Sequence, residues 1–169
     1  MITCADSTTC TGTSEGDIIY GGANEQIFGL GGNDIIYGKS DDQIYGGKGN
    51  SILVAGPGNN LLDAGSGDDV LLGGPGNDLL VGGTGNDKMF AGSGNAVMFG
   101  GSGAVHFDCP TSTTATTKSV VLDYNPTHGD TISGTCKIVN TVSSNNPGTN
   151  IPHINVPSTV PVPVPATNS

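Results

Sequence analysis

The stretch Gly73–Gly92, GGPGNDLLVGGTGNDKMFAG, decides the fold. It holds two consecutive nine-residue units, Gly73–Val81 and Gly82–Phe90, each reading Gly-Gly-x-Gly-Asn-Asp-x-apolar-x. In both directions the unit repeats with decreasing fidelity. The residue in its Asp position runs Asp17, Gln26, Asp34, Asp42, Ser51, Asn60, Asp69, Asp78, Asp87, Ala96 and Val105. The spacing is nine, except for eight between Gln26 and Asp34 and between Asp34 and Asp42, which puts single deletions in those turns. Two positions after each slot stands an apolar residue: Ile19, Phe28, Ile36, Ile44, Leu53, Leu62, Leu71, Leu80, Met89, Met98 and Phe107. Side chains alternate across a strand, so a three-residue strand centred there points that residue inward. The glycines before each slot supply the positive φ and close backbone approach that a tight turn needs.

Composition agrees with a repeat array rather than an ordinary globular core. Of 29 glycines, 26 fall before residue 104, and tryptophan is absent. The formal net charge is -10, and eleven of the fifteen acids lie between Glu15 and Asp87. Such a surface repels nucleic-acid phosphates and anionic lipid headgroups. Confined to one array, the acids oppose compaction unless a cation neutralises them. No apolar run is long enough to span a bilayer. His106, His128 and His153 are scattered, and HExxH and Walker motifs are absent, so no catalytic function is expected.

Cys4, Cys10, Cys109 and Cys136 flank the array, and none has the spacing of a zinc site. Disulfides in an oxidising, extracellular setting are the better reading. Three pairings are possible; Cys4–Cys10 with Cys109–Cys136 is expected, each closing a local loop at one end. Met1 opens no secretory signal, so the chain reads as a mature secreted product whose leader has been removed.

From Gly12 to Asp108 the chain resembles the RTX (repeats-in-toxin) family of calcium-binding β-rolls, whose nonapeptide is a known signature of parallel β-helices. The resemblance implies an all-β, right-handed parallel β-roll, or β-solenoid. Two repeats form each coil, so about five coils stack at ~4.8 Å. Met1–Thr11 is then an N-terminal cap, residues 109–140 form capping strands, and residues 141–169 a Pro/Val/Thr-rich tail. Ser119–Ile138 resembles the segment that often closes such rolls. The resemblance also implies several calcium ions, each held between turns two repeats apart. That sorts the slots into an odd column (Asp17, Asp34, Ser51, Asp69, Asp87, Val105) and an even one (Gln26, Asp42, Asn60, Asp78, Ala96). Candidate ligands are Asp17 with Asp34 and Asp69 with Asp87 in the odd column, and Asp42, Asn60 and Asp78 in the even. Backbone carbonyls such as those of Gly76 and Gly85 complete the set, since calcium takes six to eight oxygens. Ser51, Ala96, Val105 and Gln26 depart from the pattern and are expected to weaken sites.

The outward residues of the odd strands, Ile18, Tyr20, Ile35, Tyr37, Ile52, Val54, Val70 and Leu72, form an apolar strip. A strip of that extent reads as an interface, covered by another copy or by the chain's own tail at Ile151–Pro165. Val160–Pro165 is expected to run as polyproline II. The favoured function is a secreted, non-enzymatic calcium-binding structural protein that self-assembles at the cell surface or in an extracellular matrix. The alternatives are a monomeric calcium-dependent adhesion module and the roll of a larger RTX protein.

Overall fold

The computed structural model describes residues 1–111 and 118–139. Sixteen strands alternate between two parallel eight-stranded sheets. The odd sheet holds β1 (Ile2–Thr3), β3 (Ile18–Tyr20), β5 (Ile35–Tyr37), β7 (Ile52–Val54), β9 (Val70–Leu72), β11 (Lys88–Phe90), β13 (His106–Asp108) and β15 (Thr131–Ser133). The even sheet holds β2 (Thr9–Thr11), β4 (Gln26–Gly31), β6 (Gln43–Lys48), β8 (Leu61–Ser66), β10 (Asn77–Thr84), β12 (Asn95–Ser102), β14 (Val120–Val121) and β16 (Lys137–Ile138). The chain is therefore a parallel β-solenoid of about seven turns. We call the turns entering odd strands the odd edge and those entering even strands the even edge.

The coil count exceeds the five expected because the flanking segments continue the winding. Ile2 pairs with Ile19, Cys10 with Ile27, Val121 with Met98, and Ile132 with Phe107. Neither segment carries the Gly-rich nonapeptide, so the repeat pattern alone does not report them.

Each strand from β3 to β13 contributes one central side chain to a dry ladder between the sheets. Ile19, Ile36, Leu53, Leu71, Met89 and Phe107 face Ile27, Ile44, Leu62, Leu80 and Met98, all fully buried. Burial of one such side chain contributes roughly 1.5–3 kcal/mol. Gly100 makes room at the wide end, since a Cβ there would meet the Phe107 ring and Val105.

One strand sits differently from the sequence expectation. In β4 the inward residue is Ile27, not Phe28, and the slot before it is Glu25, not Gln26. Phe28 points outward and stacks on Tyr45, ring centroids 4.9 Å apart. The short step thus lies between Asp17 and Glu25. The glutamate's extra methylene lets its Oε2 reach the Gly22 N–H at 2.7 Å within a turn one residue shorter.

The longer even strands run on through the odd edge, where Leu30, Gly47, Gly65, Gly83 and Gly101 pair in one register row. The four glycines have φ of 104°, 96°, 102° and 91°, and Leu30, half exposed, is held at 78°. An L-residue with a Cβ is strained in that region by about 1–2 kcal/mol. Replacing Leu30 with glycine relieves the strain and adds unfolded-chain entropy, which offsets part of the gain. Leu30→Gly is expected to stabilise the calcium-loaded protein by about 0.5–1 kcal/mol, read as a raised midpoint in thermal denaturation. A lowered midpoint would show that the leucine's packing outweighs its backbone strain.

Candidate functional site

The slot residues form two columns of side-chain caps. On the odd edge the Asp34 Oδ1 accepts the Asp17 N–H at 2.8 Å, and Asp87 Oδ1 accepts that of Asp69 at 2.9 Å. Asp69 Oδ1 accepts the Ser51 N–H at 2.6 Å, and the Ser51 hydroxyl accepts that of Asp34 at 3.2 Å. On the even edge Asp42 caps Glu25, Asn60 caps Asp42, and Asp78 caps Asn60, each at 2.9 Å. Every cap reaches from one coil to the coil before it, satisfying an N–H that the turn otherwise buries without a partner.

One slot residue and two caps were not legible in the repeat. Glu25 occupies a slot assigned to Gln26. Ser119 accepts the Ala96 N–H at 3.2 Å, and Asp130 accepts that of Val105 at 2.9 Å. The slots at Ala96 and Val105, which depart from the pattern, are thus capped by the coil that follows. An acid one step before the expected slot was the available signal for Glu25. Ser119 and Asp130 lie in a non-repetitive segment and had none.

A second ladder stands outside the first. Asn33 Oδ1 accepts the Asn50 N–H at 2.9 Å, Asn50 accepts that of Asp68 at 2.9 Å, and Asp68 accepts that of Asn86 at 2.8 Å. On the even edge Asp41 and Asn59 do the same for Asn59 and Asn77. Asp41 and Asp68 face solvent and also bond the next coil.

The second carboxylate oxygens differ among the slots. Asp34, Asp69 and Asp87 are each 1% exposed, and their Oδ2 atoms have no hydrogen-bond partner. An ionised oxygen buried without a partner is costly, and a cation is its natural complement. Gly29 and Gly82 leave room for these oxygens: a Cβ at Gly29 would collide with the Asp34 Oδ2, and one at Gly82 with that of Asp87. Asp17 is more open, and its Oδ2 accepts the Thr13 N–H and hydroxyl, both at 2.8 Å. Those bonds hold its carboxyl below the usual range.

No group of three His, Cys, Asp or Glu side chains converges among the described residues. The slot acids stand one per turn, so a cation there must take most of its ligands from backbone carbonyls. That donor set, all oxygen and mostly neutral, suits calcium and not zinc. The residues present therefore fit the ion.

Cys4, Cys109 and Cys136 lie in even-edge turns of the two end coils, and Cys10 is the inward residue of β2. Cys4 bonds Cys10 with Cα atoms 5.8 Å apart, and Cys109 bonds Cys136 at 5.4 Å. Both bridges fit an oxidising compartment. Among the described residues no helix is long and apolar enough to cross a membrane.

Burial pushes the Asp69 carboxyl up to about 6, helped by the charges of Asp87 and Asp68. Burial likewise raises Asp34 and Asp87. Unfolded aspartates titrate near ~3.9. Between those values the folded chain keeps protons that the unfolded chain has released, so stability falls as pH rises through the window. In calcium-depleted buffer, β-structure by circular dichroism is expected to increase from pH 7.5 to pH 5. With saturating calcium the trend reverses, because the ion needs the carboxylates ionised. A calcium-free chain that loses structure over that range would contradict this account of the buried acids.

Comparison with known proteins bears on the same edges. A family model described as the RTX calcium-binding nonapeptide repeat matches in four copies, over residues 11–42, 21–53, 39–71 and 72–104. Searches of curated proteins and of solved structures find no match. The matched copies span residues 11–104, more than half of the chain, and include every orphaned carboxylate described above. With its two-edged parallel solenoid and buried slot acids, the chain belongs to the family of RTX repeats, which bind calcium ions.

Proposed function

We propose that the protein is a secreted, non-enzymatic structural protein whose β-roll is completed by calcium and associates with copies of itself into an extracellular filament, matrix or surface layer. The observation that carries the calcium part is the set of buried, unpartnered Oδ2 atoms of Asp34, Asp69 and Asp87. These carboxylates, with carbonyls of their Gly-rich turns such as that of Gly85, are the residues that would hold the ions. The ion supplies positive charge to an array that otherwise repels itself. Each coil has only two large side chains in the core, so ion binding adds directly to folding free energy by mass action. Outside the cell, where calcium is abundant, the roll closes; at low calcium the acids keep it open.

The association part rests on the outer side of the odd sheet. Ile18, Tyr20, Tyr37 and Ile52 are 41%, 43%, 39% and 38% exposed, and Tyr20 stacks on Tyr37 with centroids 5.1 Å apart. Ile35, Val54, Val70 and Leu72 fill out the strip, each partly exposed. Flat in-register rows of apolar side chains pack face to face well, as two sheets do in a sandwich. The segment Ile151–Pro165, the other candidate cover, and the Val160–Pro165 stretch lie outside the described residues.

Sedimentation with circular dichroism tests both parts. Calcium is expected to produce β-structure together with particles larger than one chain, and Ile18→Lys with Ile52→Lys should return these to monomers that still fold. A folded wild-type monomer at every concentration would shift the function to a calcium-dependent adhesion module. Asp69→Asn and Asp87→Asn should each raise the calcium midpoint of folding about tenfold, equivalent to about 1.4 kcal/mol. Unchanged midpoints would remove these acids from the binding site.

A further inference from the structure

The two edges of the roll are chemically unlike. Resting on the calcium reading above, we infer that the ions bind along the odd edge only, and that the even edge closes without metal. On the even edge the second carboxylate oxygen of every slot acid already has a hydrogen-bond donor. Glu25 Oε2 accepts the Gly22 N–H at 2.7 Å, Asp42 Oδ2 that of Lys39 at 2.6 Å, and Asp78 Oδ2 that of Gly74 at 2.8 Å. None of these oxygens is orphaned, whereas those of Asp34, Asp69 and Asp87 on the odd edge are.

Asn60 makes the contrast sharpest. Its Nδ2 lies 3.5, 3.3 and 3.3 Å from the carbonyl oxygens of Gly56, Pro57 and Gly58, and 3.1 Å from Asp78 Oδ1. A ring of turn carbonyls closed by a carboxylate is the donor set a calcium ion seeks. Here the partial positive charge of a side-chain amide fills it. The neighbouring Gly76 carbonyl is also engaged, accepting the Asn95 N–H at 2.8 Å.

Turn length points the same way. Cys4–Thr8, Gly21–Glu25 and Gly38–Asp42 are one residue shorter than the Gly-Gly-x-Gly-Asn-Asp turn, which sets the early coil repeat at 17 residues instead of 18. In them Ser7, Asn24 and Asp41, not glycines, carry the left-handed residue, at φ of 62°, 59° and 61°. Further up, Ala96 leaves its slot with no oxygen. Both disulfides start from turns on this edge, so covalent and hydrogen bonds hold it where calcium holds the other. The carboxylate pair Asp42 and Asp78, with Asn60 and Gly76, is thereby assigned to turn closure rather than to ion binding.

The test counts ions per chain by equilibrium dialysis of the full protein against calcium chloride. Asp69→Asn or Asp87→Asn should lower the count by at least one. Asp42→Asn and Asp78→Asn should leave it unchanged, and Asn60→Asp, which replaces the amide by a carboxylate, should raise it by one. Loss of an ion in Asp42→Asn or Asp78→Asn overturns the one-edged assignment. A wild-type chain that binds no calcium overturns the underlying calcium reading instead. Because an even-edge variant can fail to fold, the wild type supplies an independent check in crystals grown with calcium. Long-wavelength anomalous peaks beside Asp34, Asp69 and Asp87 alone support the assignment; a peak beside Asp42, Asn60 or Asp78 refutes it.

Discussion

A cap that reaches from one coil to the last holds the whole roll in register. From Asp34 to Asp87 the slot side chain accepts the backbone N–H of the slot one coil before it, whether the acceptor is a carboxylate, an amide or a hydroxyl. The next residue out reaches the other way: Asn33 caps the following coil while Asp34 caps the preceding one. Two ladders of opposite sense therefore lock each turn from both sides. A slip of one residue along a strand would break every such bond and turn the core residues outward. The dry ladder of Ile, Leu, Met and Phe supplies the burial energy, but it does not specify register by itself, since neighbouring aliphatics are interchangeable.

The same caps create the electrostatic problem that the protein must solve. A carboxylate uses one oxygen on the cap and is left with another inside the turn. On the even edge a turn N–H takes that second oxygen. On the odd edge the even strands run straight through the turn in sheet pairing, and the turn offers the three buried acids no N–H. Burial then raises those acids, Asp69 to about 6, so at neutral pH they are ionised at a cost. A hard divalent cation placed among turn carbonyls removes that cost, which is the sense in which calcium completes the fold.

Irregularities in the repeat carry more information than its best copies. The early eight-residue steps reflect shorter even turns, and Glu25 adapts to one of them with a longer side chain. Ser51 interrupts the odd column without interrupting the ladder, because its hydroxyl still accepts the Asp34 N–H. Asp123, beyond the repeats, accepts the N–H groups of Gly100 and Gly101 at 2.9 and 2.7 Å, and so ties the closing segment to the last Gly-rich turn.

The nonapeptide by itself determined the all-β solenoid, the alternation of inward residues from Ile36 to Phe107 and the acids lining both edges. Glycine at fixed intervals and one apolar residue per strand permit few other folds. Tertiary structure alone decided which oxygens are left without partners. Asp78 and Asp87 close the same Gly-Gly-x-Gly-Asn-Asp turn sequence, yet the Asp87 Oδ2 is orphaned and that of Asp78 is bonded to Gly74. That difference depends on how the strand before each turn continues into it, which is set by pairing with coils 17 or 18 residues away. The same holds for the inward choice of Ile27 over Phe28 and for the coils formed by Met1–Thr11 and Ser119–Ile138. A sequence pattern reports local spacing, whereas register is settled by contact with the neighbouring coil.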